Sequence, residues 1–546
     1  MEKKNAFLDQ DLFNLYGLPK SHGFDDVLAS NDSNNDRNEG DDEDAIDEES
    51  FRQLVDDFLV RPTDWAQTHP SANGVLKCGS DKYYADLVST LKCMLYMYAP
   101  TTEFPDGALS EIAFVLSAYL EDIVSGIGVW DAIRNLHHSR YGCWLPFYDC
   151  DHEEYLTDNV NIEDLKFLVW QALCRCGQKE RIIFSPFSQV VDIIAGSVYN
   201  TLVEEFETAP ETTRVVGHIK SIFRKGDFFQ IRSLEEWLVF SNPLTKHLDL
   251  YPYLHEQAQI ASNGHDNLSL DKTFYSLHCI MTCGRHIGPE GLFASDYLAV
   301  MSADKGFGEL ADKLRGQKSV PTDSFRMIET GKHMVTLEDA TGTIYHVDKK
   351  SFGPGIDYKS AKGFVSAFVK FGEHWQANGM AIVLTSDPFE KERYSSNFTT
   401  GAKGLEMAAQ IAERHKGRRI FYCKDIDDMS SLIGVPYKGS DNADISPDQN
   451  FLVMLSKTDG IIILPGYAPA VKDKLNPFYD KTCAGPLGLK LIASGLIPDD
   501  IAQILQEKKM LPDATLTCSQ GKRFGKRTMQ ENLRYIANFY RDRIHS

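Results

Sequence analysis

The chain has 546 residues, 42% hydrophobic and 11% aromatic, with eleven cysteines and a formal net charge of −21. That length allows about three or four folded units with large cores, so no disulfide or metal is needed to compensate for small size. The composition excludes a chain that is disordered throughout. Eleven cysteines without disulfide-framework spacing point to free thiols in a reducing compartment. A cytoplasmic protein is expected, because the start Met1-Glu2-Lys3-Lys4-Asn5-Ala6-Phe7-Leu8-Asp9 returns to charge too soon for a signal peptide. No membrane span is expected either: the most apolar run, Ile461 to Leu464, stops at Pro465-Gly466, far short of the roughly 18–20 residues a bilayer requires.

Residues 1–50 read as a disordered acidic tail. Between Asp25 and Glu49 twelve Asp or Glu stand against Arg37 alone, a local charge of −11 that leaves −10 for the rest. Chain this polar cannot bury enough apolar surface to offset its ordering entropy. Leu12, Phe13, Leu15 and Tyr16 form the one segment there that could dock.

Residues 51–320 read as an all-α domain. Leu87, Leu91, Met94 and Leu95, and then Ile112, Val115, Ala118 and Tyr119, recur at three- and four-residue steps that place each set on one helix face. Turn residues break the pattern at Pro100–Gly107, Asp149–Asp158 and Ser241-Asn242-Pro243. Roughly eight to ten helices of average length fit between Asp81 and Leu310.

Residues 321–390 change character. The runs Phe325–Ile328, His333–Leu337, Thr343–Val347, Gly363–Phe371 and Met380–Thr385, with Trp375 and the turn Asn378-Gly379 between the last two, suggest a small β-barrel of the SH3-like or OB-like kind. Residues 391–546 alternate: a helix over Lys403–Arg414, a strand over Arg419–Cys423, a hairpin of Phe451–Leu455 with Gly460–Leu464, and helices over Asp499–Lys508 and Glu531–Ile544. The fold class is therefore α+β and multidomain, with a large all-α N-terminal domain, a small barrel and a C-terminal α+β segment.

No residue set carries a catalytic or cofactor signature. His278, Cys279, Cys283 and His286 are the nearest to a metal set, but they lack paired knuckle spacing and read more economically as buried structural side chains. A second set, Cys143, Cys150, His152, Cys174 and Cys176, would need an unseen fold to assemble it. Asp499 with Glu507-Lys508-Lys509 has nuclease-like spacing, yet the residues between read as helix with Asp499 at its start. Ser302–Lys305 and Ser519–Lys522 both match a serine–lysine spacing, and two matches in one chain show how little it means. Gly401–Gly404 opens a helix and could offer N–H groups to a phosphate, but a turn explains it as well.

On the last helix, Arg527, Arg534, Arg541 and Arg543 stand with Tyr535, Phe539 and Tyr540, a combination that suits single-stranded nucleic acid. The simpler reading packs the rings inward and leaves the arginines in water. Glu121 and Asp122, adjacent on an apolar helix, diverge by about 100°, which argues against joint acid–base work.

Several segments are similar to a known family. These are Ala118–Trp130, Tyr141–Tyr148, Phe167–Trp170, Asp64-Trp65 with His69-Pro70, Tyr83-Tyr84, Trp375 with Asn378-Gly379, and Asn476–Tyr479. Together they resemble a bacterial family catalogued as domain of unknown function 3843, over most of the chain after Asp56. The resemblance implies no activity, so no catalytic residue, cofactor or metal is assigned, and the sequence leaves open whether the chain is an enzyme. Trp130, Trp144 and Trp170 are expected as core anchors.

The leading functional expectation is a non-enzymatic interaction protein whose barrel or terminal helix contacts a protein or nucleic acid. A metal-dependent hydrolase or nuclease assembled from distant residues is the alternative. A carboxylate–histidine cluster in a deep pocket would favour the second, and an exposed aromatic groove on the barrel the first.

Overall fold

A computed structural model describes residues 58–71, 74–98, 104, 107–177, 184–246, 248, 250–262, 269–353, 355–389, 401–434, 449–511 and 531–541. The acidic tail with its Leu12–Tyr16 segment, Ser519–Lys522, Arg527 and Arg543 lie outside the described residues, and so do the side chains of Gly401 to Lys403.

The helical body holds α1 (Pro62–Ala66), α2 (Asp81–Tyr98), α3 (Ala108–Ser125), α4 (Val129–Tyr141), α5 (Ile162–Cys176), α6 (Gln189–Thr208), α7 (Thr213–Lys225), α8 (Phe228–Phe240), α9 (Leu250–Ser262), α10 (Leu270–Gly284), α11 (Ala294–Asp304) and α12 (Gly308–Arg315). A two-residue ladder, β1 (His286–Ile287) with β2 (Leu292–Phe293), separates α10 from α11. Among the described residues ten complete helices, α2 to α11, fall between Asp81 and Leu310, and Gly306 turns the chain at positive φ between α11 and α12. Among the described residues no single helix is long and apolar enough to cross a membrane; α3 and α4 pass only as a pair, bent by 93°.

That bend illustrates how the body is held. Gly126 and Gly128 take left-handed backbone conformations, and Gly128 is the N-cap of α4 without a side chain to cap it. Asp122, on the preceding helix, substitutes: its carboxylate accepts from the N–H groups of Gly128, Val129 and Trp130 at 3.3, 3.0 and 3.0 Å. Trp130 and Trp170 are fully buried core anchors, whereas Trp144 is only half-buried and stacks on His138 at 4.5 Å.

The barrel is built from β3 (Lys318–Thr330), β4 (Met334–Glu338), β5 (Ile344–Asp348), β6 (Gly363–Phe371) and β7 (His374–Ala377). β3 pairs with β4 through its C-terminal half and with β6 through the rest, bending at two register shifts, so the ring closes in the order β3-β4-β5-β7-β6. β8 (Ile382–Leu384) adds to β6 outside the ring. Sequence reading misses β7, four residues long and interrupted at once by Asn378-Gly379, although it supplies the closing contact Val347↔Trp375. Asn378-Gly379 is also where the barrel docks. The Asn378 amide donates to the Cys279 carbonyl at 2.9 Å, and a Cβ on Gly379 would stand 2.9 Å from the Ser276 hydroxyl and 3.1 Å from its Cα.

The C-terminal part contains α13 (Gly401–Arg414), β9 (Ile420–Cys423), α14 (Ile426–Ile433), β10 (Phe451–Ser456), β11 (Gly460–Pro465), α15 (Ala484–Ala493), α16 (Asp499–Glu507) and α17 (Leu533–Tyr540). Every residue of β10 is buried because both faces of the three-stranded sheet are covered. Leu452 and Met454 join the core of the helical body, while Val453 and Leu455 pack against α13 and α14. One continuous core thus runs from Trp65 to Tyr540.

Replacing Asp122 by alanine strips three N–H groups of their acceptor. An Asp122→Ala variant is expected to lose about 1–2 kcal/mol of stability, in the range of a lost helix cap, measured as a lower urea midpoint at unchanged slope. An unchanged midpoint would contradict the capping role.

Candidate functional site

An open groove of about 1390 Å³ lies on the helical body. Its walls come from α1 and the loop after it (Asp64, Thr68, His69, Val75), from α3 (Glu111, Phe114), from α7 (His218, Lys225) and from α8 (Phe229, Gln230, Glu236, Trp237), with Lys246 at one end. The elements meet here because Trp237 donates its ring N–H to the Thr68 carbonyl at 2.6 Å, while Glu111 binds Arg175 at 2.8 Å and Lys246 at 3.3 Å. Phe229 and Val75 stand exposed at the rim, 39% and 51% accessible. Two buried polar atoms among the lining residues, His218 Nε2 and Gln230 Oε1, have no hydrogen-bond partner. Such atoms carry an unmet desolvation cost of about 1–3 kcal/mol.

Behind the wall lies a polar cluster around His69, whose side chain is buried. Nε2 faces the Glu121 carboxylate symmetrically, 3.1 Å from each oxygen. Glu121 is held in turn by the Thr212 hydroxyl at 2.6 Å, itself hydrogen-bonded to Ser80 at 2.9 Å. Nδ1 faces three lone-pair groups: Leu76 O at 3.5 Å, Asp81 Oδ1 at 3.6 Å and Cys78 Sγ at 4.0 Å. Burial alone would lower the His69 pKa, but the Cys78 sulfur and the Glu121 carboxylate push it up to about 10. Burial is likewise the main cause that raises the Asp81 pKa, against the N–H of Cys78 that donates to it at 2.6 Å.

A second cysteine–histidine–carboxylate array forms on α4. His137 Nε2 lies 3.6 Å from Cys143 Sγ, and Nδ1 lies 2.9 Å from Glu290, which also pairs with Arg140 at 3.5 Å. Burial opposes protonation of His137, yet the Glu290 charge and the Cys143 sulfur push its pKa up to about 9.

The sets read from sequence are dispersed among other partners. Cys283 donates to Glu235 at 3.1 Å, His278 stacks on Phe240 at 4.3 Å, and His286 stacks on Phe293 at 4.3 Å. Cys150 donates to the Tyr148 carbonyl, and His152 lies 3.7 Å from Glu163. Asp499 is occupied by a two-pronged bond to Arg534, 2.8 and 2.6 Å, and by Asn538. Ser302 is buried and donates to Ala299, while Lys305 reaches the Gly126 carbonyl at 3.2 Å. Glu121 and Asp122 face different ways, one to His69 and the other to α4. On α17 the rings Tyr535, Phe539 and Tyr540 are buried, and Arg534 and Arg541 pair with Asp499 and Asp459. This helix therefore has no stacking platform to offer a nucleic acid.

Sequence reading singled out none of His69, Cys78, Asp81, His218 or Gln230 as site residues. The short separation of Cys78 from Asp81 was the one available signal, and it means little until the fold brings in His69 and Glu121.

Fold and site together define an α+β protein with a grooved helical body and an added closed barrel. The chain belongs to the family described as protein of unknown function (DUF3843), whose model matches residues 59–332 and 404–541. The two matched stretches are those that share the large core; residues 333–403, which carry β4 to β8, fall between them. No curated protein and no solved structure matches the chain.

The buried acids set a pH dependence. Burial, partly offset by hydrogen bonds, raises Asp122 and Glu235 to about 7, so between roughly pH 4 and 7 the folded chain holds protons that the unfolded chain has released. His137 does the same between its ordinary value of 6.5 and about 9. These three groups all make stability fall as pH rises. The urea midpoint, measured with chelator present, is expected to be lower at pH 9 than at pH 6; a midpoint that is constant or rises over this interval would contradict the assignment.

Proposed function

We propose that this chain is a cytoplasmic interaction protein and that its helical groove receives an extended polypeptide segment of a protein partner. The size of the open groove, with the aromatic side chain of Phe229 exposed at its rim, carries the reading. The volume exceeds the roughly 300–1,000 Å³ of ordinary small-molecule sites. The lining mixes carboxylates (Asp64, Glu111, Glu236) with lysines (Lys225, Lys246) and rings (Phe114, Phe229, Trp237). A mixed wall of this kind suits a peptide better than a nucleic acid, which calls for a single-signed basic track. The reducing cytoplasm is the compartment that suits eleven cysteines, of which the ten described are unbridged.

A second reading, a metal-dependent hydrolase, draws on a different observation: the His69, Cys78, Asp81 and Glu121 cluster behind the same wall. It adds turnover to binding and requires that a bound peptide be cleaved.

Both are tested by placing the photo-crosslinking residue benzoylphenylalanine at position 229, and separately at Ile344 on the barrel, and irradiating cells that express the full chain. Position 229 is expected to yield a protein adduct of discrete mass whose crosslinked peptide lies in the groove. The affinity of the identified partner should fall at least about tenfold on Phe229→Ala, as for an aromatic anchor. Adducts from position 344 alone would move the partner site to the barrel and overturn the groove reading, as would adducts with nucleic acid. Shortened products of the partner would favour the hydrolase.

A further inference from the structure

We propose that His69 Nδ1, Cys78 Sγ and Asp81 Oδ1 form a binding site for one Zn²⁺ ion. The inference rests on the geometry of the cluster and holds whether the groove only binds its occupant or also cleaves it. Among the described residues this is the one group of three His, Cys, Asp or Glu side chains whose donor atoms all lie within 4.8 Å of one another.

The two nitrogens of His69 are treated differently by their surroundings. Nε2 makes an ordinary hydrogen-bonded pair with Glu121 at 3.1 Å. Nδ1 makes only long contacts: its three neighbours, Leu76 O, Asp81 Oδ1 and Cys78 Sγ, stand at 3.5, 3.6 and 4.0 Å. An N–H···O bond is about 2.7–3.2 Å long. Asp81 Oδ1 is buried and has no hydrogen-bond donor, while its companion Oδ2 is taken by the N–H of Cys78. A buried carboxylate oxygen, a sulfur and a ring nitrogen thus converge at long contact distances, all within 4.8 Å of one another, an arrangement that a shared cation between them tightens.

The spacings suit zinc. With Zn–N and Zn–O near 2.0 Å and Zn–S near 2.3 Å, tetrahedral ligands lie about 3.3 Å apart for N and O and about 3.6 Å apart for N and S. The observed 3.6 and 4.0 Å need only a few tenths of an ångström of closure. The donor types also suit zinc, since sulfur and imidazole disfavour Mg²⁺ and Ca²⁺. Glu121 completes the arrangement from behind. A carboxylate on the far nitrogen of a ligating histidine fixes the tautomer and strengthens the ligand, and Glu121 occupies that position.

Three protein ligands leave a fourth position. Cys78 is half-buried and Gly79 exposed, so the site has a route to solvent.

The test is metal loading of the purified full chain. Reduced protein is incubated with excess Zn²⁺, passed through gel filtration and analysed for metal per chain. It is then loaded with Co²⁺, which reports a thiolate ligand through its near-ultraviolet charge-transfer band. One zinc per chain and a cobalt–thiolate band are expected, with both lost in Cys78→Ser and both retained in Cys143→Ser. Less than half an equivalent of zinc, or a band that survives Cys78→Ser, overturns the site. Should Cys78→Ser fail to fold by circular dichroism, the wild-type chain decides: Zn²⁺ is expected to slow iodoacetamide labelling of Cys78 at least tenfold, read by peptide mass spectrometry, and unchanged labelling overturns the proposal. Failure here leaves the crosslinking result at position 229 untouched, and the reverse also holds.

Discussion

The insertion of α17 into the helical body is the contact on which the rest of the structure depends. Tyr535 lies within 5.1–6.4 Å, ring to ring, of His137, Tyr141, Phe147, Phe167 and Trp170. The seating is close: at Gly291, φ +57°, a Cβ would meet the Asn538 carbonyl oxygen at 2.1 Å, so only glycine fits beneath the helix. Each buried ring contributes on the order of 2–3 kcal/mol. Asn538 also donates to the Tyr141 hydroxyl at 3.0 Å, joining residues 397 positions apart. Segments this far apart in sequence share one core, and the family model matches both sides of the barrel for which this core is the common feature.

Around that core, buried charges come in long-range pairs. Glu111 meets Arg175, Glu121 meets His69, and Glu290 meets His137. A buried charge left alone costs several kcal/mol, so each pair ties two distant segments together more strictly than apolar contact would. The groove inherits its shape from this bracing. Glu111 and His69 both belong to its lining, and each is anchored from behind by a partner on another element.

Much of the architecture was legible in the sequence, because period-3.6 stripes such as Leu87–Leu91–Leu95 and β-rich runs such as Thr343–Val347 are local signals of element type. The hairpin of β10 and β11 and the helices α13 and α16 fall close to where patterning puts them. β7 was hidden because four residues carry too little period to register. The site was harder to read for a different reason. His69, Cys78 and Asp81 span thirteen residues, but their chemistry depends on Glu121 and Thr212, and no local pattern reports which buried carboxylate will meet which imidazole. The terminal helix shows the converse: its arginines and rings form a legible pattern, but packing determines its use, turning the rings inward and pairing Arg534 and Arg541 with acids.

That α17 and the helical body form one cooperative unit is tested most directly by hydrogen–deuterium exchange on the full protein under native conditions. If α17 is part of the common core, its amides should exchange as slowly as those of α3, α4 and α5, through global unfolding alone. Exchange of α17 orders of magnitude faster than those helices would show that it opens as a separate unit, and would contradict the account.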